Sequence, residues 1–217
     1  MLLSLRLAAQ HYGPLQLGSG LGGCGALVEG WDTTIDVVIF PPFRRSVRIW
    51  WVRRLVEAAL RVGSCSQADG YSAADPVCRP RAVSIVLADD ETVQDLNRSY
   101  RGLDEVTDVL SFSPVHQGEY LGLGEPLVQS VVPFPILESS PDELGEIVIS
   151  YPQVKRQASQ AGRLVHQELA LLVAHGVLHL LGYDHTEAHE EAVMKARERA
   201  ALGEAVLLSG VSETEAG

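Results

Sequence analysis

Apolar residues along the chain recur at two spacings, every second residue in some stretches and every third or fourth in others. The alternation marks out the elements. Thr34 to Phe40 (TIDVVIF) reads as a strand, stopped by Pro41 and Pro42. Ser46 to Val62 predicts a helix, with Ile49, Trp50, Leu55, Ala58 and Ala59 on its apolar face and Arg48, Arg53, Arg54 and Glu57 interspersed. Ala82 to Ala88 is a second strand, after which Asp89 or Asp90 caps a helix running to about Tyr100. Asp108 to Phe112 and Leu144 to Ser150 are the third and fourth strands. Pro152 suits the first turn of a short helix over 152–161. Glu168 to Leu181 is apolar nearly all round, the mark of a buried helix, and Gly182 ends it. A charged helix over Glu187 to Ala200 closes the series.

Strands and helices alternate without a strict βαβ repeat, which predicts an α+β fold: a mixed four-stranded sheet packed with helices. One domain spans 32–205, with loop insertions at 63–80 and 114–143 that are rich in turn-forming residues. Residues 1–31, dense in Gly and Leu, are expected to form a poorly ordered leader, and 206–217 a flexible tail.

Composition narrows the class. Apolar residues make up 46% and charged residues 21%, an ordinary globular balance, and no segment has the apolar length of a membrane span. Cys24, Cys65 and Cys78 match neither a CxxC knuckle nor a paired disulfide framework, so free thiols in a cytoplasmic protein are expected. The net charge of −11 argues against a general nucleic-acid binder. It is unevenly spread. Residues 1–101 hold 11 Arg against 10 acids, while residues 102–217 hold 6 bases against 18 acids. A polyanionic substrate would have to meet a local patch, and the arginines of 44–61 with Arg79, Arg81 and Arg98 are the candidates.

The chemistry concentrates in His175-Gly-Val-Leu-His179-Leu-Leu-Gly182-Tyr183-Asp184-His185. Four helical residues turn a side chain by about 400°, so His175 and His179 face the same way, one turn apart. Both can then reach one ion at zinc–nitrogen distances of about 2.0–2.1 Å. The helix stops at Gly182, and the reversal lets His185 swing over the same face. Three neutral nitrogens leave a fourth position open, as in catalytic rather than structural zinc sites. A single HxxxH is often just a pair of core histidines. Independent placement of 7 His and 20 Gly among 217 residues, however, produces the full spacing only about once in a thousand chains. One zinc ion on His175, His179 and His185 is therefore expected. His166 falls out of phase, and His189 reads as a surface residue. The metzincin peptidases share the spacing HExxHxxGxxH, but Gly176 stands where their general-base Glu belongs. Glu168, two turns before His175, reads as a helix-start carboxylate, with a supporting role behind the histidines as the alternative.

HGVLHLLGYDH resembles the signature of the YbeY family of bacterial rRNA-maturation endoribonucleases. Two further blocks agree: Leu96-Asn97-Arg98-Ser99-Tyr100-Arg101 through Thr107-Asp108-Val109-Leu110-Ser111-Phe112, similar to LNxxYRxxDxPTDVLSFP, and Leu144 to Ser150, similar to LGDIVIS. Val106, Ser113 and Glu146 depart from those patterns. The resemblance implies a zincin-like fold built on the metal-binding helix. It also implies a zinc-dependent, single-strand-specific endoribonuclease of rRNA maturation and ribosome quality control, with His175 and Arg101 catalytic. Ribosomal RNA, the small ribosomal subunit and a ribosome-assembly GTPase would be its partners. Chemically, a guanidinium such as that of Arg101 forks a phosphate and stabilises charge in phosphoryl transfer. Thr107 and Asp108 read as shaping the turn into the third strand, and Asp184 as orienting a ligand histidine or handling protons. A zinc metallopeptidase-like hydrolase and a non-catalytic ribosome-assembly factor with a structural metal remain the alternatives.

Overall fold

A computed structural model describes residues 33–64, 82–113, 143–185 and 187–209. The leader, most of the two insertions, the three cysteines, His11, His116, Arg79 and Arg81 lie outside the described residues. Four strands, β1 (Ile35–Ile39), β2 (Ala82–Ala88), β3 (Val109–Phe112) and β4 (Glu143–Ser150), form one sheet in the order β1-β2-β4-β3. β1, β2 and β4 run parallel, and β3 pairs antiparallel with β4 at the edge. The fold is α+β with a mixed sheet, as the pattern predicts. The central strands are covered on both faces, which is why AVSIVLA and ELGEIVIS read as near-continuous apolar runs.

Among the described residues five α-helices complete it: α1 (Ile49–Ser64), α2 (Asp90–Arg101), α3 (Tyr151–Gln160), α4 (Val165–Leu180) and α5 (Ala188–Ser209). Ile85 and Leu87 of β2, with Ile147 and Ile149 of β4, face the larger core, shared with α1, α3, α4 and α5. Val86 and Val148 face a smaller core closed by Val93 and Leu96 of α2. Asp89 is the cap of α2, its carboxylate accepting from the Thr92 N–H at 3.0 Å. Asp90 instead ties α2 to α3. Arg156 grips it through two hydrogen bonds of 2.8 Å, which lowers its pKa.

Two expectations need correction. Ile49 and Trp50 are not core residues: they are 44% and 55% exposed, because α1 begins only at Ile49 and its first turn overhangs the core. The buried face is set by Val52, Leu55, Val56, Ala59 and Leu60. The final helix does not stop near Ala200 but continues to Ser209, since Ala201 and Ala205 extend a small-residue seam where α5 packs on α1. Glu146, paired in register with Ser84, is only 5% exposed, and burial pushes its carboxyl up to about 7.

Candidate metal centre

Helix α4 is apolar on nearly every side because sheet, α1, α3 and α5 all pack on it. At Gly176, between the first two histidines, it lies flush on the sheet. A Cβ there would sit 2.9 Å from Ile147 Cγ2 and 3.2 Å from Ser111 Oγ. A side chain at 176 would point into the sheet. The missing peptidase carboxylate is thus a consequence of packing as well as of sequence. The helix ends in a left-handed turn at Gly182 (φ 90°), where the Gly182 N–H reaches the His179 carbonyl and the Tyr183 N–H the Leu178 carbonyl, both at 3.0 Å. The Tyr183 hydroxyl then donates to the Gly63 carbonyl at 2.8 Å, anchoring the reversal to the end of α1.

This brings the three predicted ligands together. The Nε2 atoms of His175 and His179 lie 3.0 Å apart, and one nitrogen from each of His175, His179 and His185 falls within 4.8 Å of the others. Tetrahedral zinc at about 2.0–2.1 Å from each nitrogen would space two of them about 3.3 Å apart, so the cluster fits one ion of that size. The outer nitrogens settle which atoms face it. His179 Nδ1 is 2.9 Å from the Tyr183 carbonyl, an acceptor only, so Nδ1 carries the proton and Nε2 the lone pair. His175 Nδ1 is 2.8 Å from Glu198 Oε1, with the same consequence. Two lone pairs aimed at each other across 3.0 Å repel unless a cation or a proton lies between them. Burial, then the neighbouring His175 and His185, lowers the His179 pKa to about 4, so its ring is neutral, the ligating form, at pH 7. His185 is exposed, and Asp184 holds it through its backbone, accepting the His185 N–H at 2.7 Å.

His175 and His185 open onto a cleft of about 870 Å³ between α3, α4, α5 and the start of β3. Asp108 rims it, held by Gln157 at 2.9 Å and capping the Val109 N–H at 2.8 Å. Glu168 is more than a helix-start residue. It lines the same cleft, buried and paired with Arg163 at 2.9 Å. The cations in the lining are Arg163 and Lys195, the latter bonded to Glu191, and neither was anticipated. The arginines of α1 and Arg98 do not line it; Arg54, Arg61 and Arg98 pair with Glu57, Glu204 and Asp95 elsewhere. Arg101, half-buried at the end of α2, is also absent from the lining. His166 and His189 are exposed, as expected. Glu198 was missed as well. It lies 23 residues past His175 in a helix rich in acids, and no spacing distinguishes it from Glu190 or Glu191.

The family model described as "Endoribonuclease YbeY" matches residues 52–205. An endoribonuclease YbeY from Dehalococcoides mccartyi is 39% identical over 169 residues, 77% of this chain and 94% of the relative. One from Roseiflexus castenholzii is 40% identical over 173 residues, 79% of this chain and 92% of the relative. A solution structure of a Thermotoga maritima protein aligns at a TM-score of 0.47 with 21% identity, covering 84% of this chain and 99% of that one. The chain belongs to the YbeY endoribonuclease family.

Proposed function

We propose that this chain is a zinc-dependent endoribonuclease that cuts single-stranded segments of ribosomal RNA during maturation and ribosome quality control. It would work in the cytoplasm with the small ribosomal subunit and a ribosome-assembly GTPase. The observation that carries the metal reading is the pair of Nε2 atoms 3.0 Å apart, each on a ring whose Nδ1 proton is already engaged. His175, His179 and His185 would hold the ion. Zinc, when bound, supplies Lewis acidity at neutral pH.

The chain's own residues supply the rest. Tyr183 and Glu198 hold two imidazoles in the ligating tautomer. Asp108, Gln157 and Gln160 give the cleft wall hydrogen-bonding groups for sugar or base edges. Arg101 is assigned the scissile phosphate. Its support is the match to the family block and its place seven residues before the cleft-rim Asp108, and its guanidinium suits a phosphate.

Wild type, His179→Ala and Arg101→Ala, each assayed on single-stranded RNA and on casein with zinc measured, test the reading. His179→Ala should lose the ion and all cleavage. Arg101→Ala should keep the ion and lose RNA cleavage by at least about a hundredfold. Casein hydrolysis would point to a peptidase, and zinc without turnover of either substrate to an assembly factor with a structural metal.

A further inference from the structure

From Val37 to Val56 the chain carries five arginines and no carboxylate, in a protein of net charge −11. Arg44, Arg45, Arg48 and Arg54 are exposed there, and the first turn of α1 has no acid. The side chains of Arg45 and Arg48 have no ion pair among the described residues. Of the large apolar side chains left exposed among those residues, two, Ile49 and Trp50, sit in this same turn. An isolated exposed tryptophan is unremarkable. One flanked by unpaired guanidinium groups is a stacking platform inside a cationic field, the combination that binds single-stranded nucleic acid without reading its sequence.

The fold connects this patch to the cleft. Ile39, Leu87, Ile149 and Val109 form one row across the sheet, and Val109 lines the cleft while Ile39 leads into the patch. Three strand spacings of about 4.8 Å separate the two edges by about 15 Å. The ground between them is bridged. Phe43, just before Arg44, packs on Tyr151 with ring centroids 5.2 Å apart, and Lys155 lies 4.9 Å from the same Tyr151 ring. Lys155 is exposed on α3, and Gln157 and Gln160 of that helix line the cleft. The exposed Lys155 thus stands between the start of α1 and the neutral Gln157 and Gln160 at the cleft wall.

We propose that the turn holding Arg45, Arg48 and Trp50 is a second contact for a single RNA strand, outside the cleft and continuous with it through Lys155. The inference rests on the endoribonuclease reading and deepens it. The patch supplies the long-range attraction that the acidic chain otherwise lacks, and the cleft, whose cations are engaged with carboxylates, is left to orient and cut.

The test is fluorescence anisotropy of the full, zinc-loaded chain with a labelled single-stranded RNA of about 20 nucleotides, longer than one cleft holds, over a series of salt concentrations. Arg45→Gln/Arg48→Gln should weaken binding about tenfold and flatten the slope of log affinity against log salt by about 1.4. Trp50→Ala should weaken it about tenfold, and Trp50→Phe should restore most of the loss. A wild-type chain that binds no RNA refutes the endoribonuclease reading itself. Binding by wild type with unchanged affinity and slope in the variants overturns the patch alone. Loss of binding to phosphatidylglycerol vesicles without loss of RNA affinity also overturns it, assigning the patch to an anionic membrane surface.

Discussion

The two histidines on α4 and the third on the bend after it are held in different ways. His175 and His179 are half-buried on a helix packed from several sides, and each ring has its outer nitrogen engaged, one by Glu198 and one by the Tyr183 carbonyl. His185 is exposed; its backbone N–H is held by Asp184, and its ring lies 5.7 and 5.1 Å from those of His175 and His179 with no hydrogen bond of its own among the described residues. If the cluster holds an ion as proposed, two of its rings are pre-organised, while the third has rotamer freedom to lose on binding. The difference separates affinity, set mainly by the helix pair and its supports, from completion of the coordination shell.

Disturbing what the helix pair rests on should have the largest effect. Gly176→Ala places a methyl group against Ile147 and Ser111, lifting α4 from the sheet and moving both rings together. A stability loss of about 1–3 kcal/mol in urea unfolding is expected. A change below a few tenths would show that the helix can shift without cost. Next comes Glu198→Ala, which frees the His175 ring and should weaken zinc binding about 10–100-fold in a chelator competition, with Glu198→Gln, still an acceptor, losing less. Equal affinities in all three proteins would mean the carboxylate positions nothing.

Protonation of His179 acts on the helix pair directly. The His179 pKa is lowered from 6.5 to about 4, so the ring contributes stability that is present above 6.5 and lost as pH falls toward 4. In the metal-free protein this loss should be on the order of 3 kcal/mol. The His179 ring protons should titrate near pH 4 by NMR, and a midpoint near 6.5 would show that its burial does not keep the ring neutral. Smallest of all, Asp184→Ala should change zinc affinity by less than about threefold, because it removes one exposed hydrogen bond. A loss as large as that of Glu198→Ala would show His185 to be pre-organised after all.

The clustering of the three histidines was legible in the sequence because its geometry is local. A four-residue step along a helix and a glycine that admits the left-handed turn bring three imidazoles together whatever surrounds them. The strands were legible for a similar reason, since apolar runs of seven or eight residues between turn signals leave few other readings.

Tertiary structure alone decided the rest. Glu198 meets His175 because of how α5 docks on α1 and α4, and Gly63 anchors Tyr183 from 120 residues away. It also set Arg163 and Lys195 in the cleft wall and left the α1 arginines outside it, with Trp50 turned to solvent among them. Periodicity specifies which face of a helix is apolar. The position of that helix relative to its neighbours is a sum of many weak packing contacts between distant residues, and no short spacing in the chain records that sum.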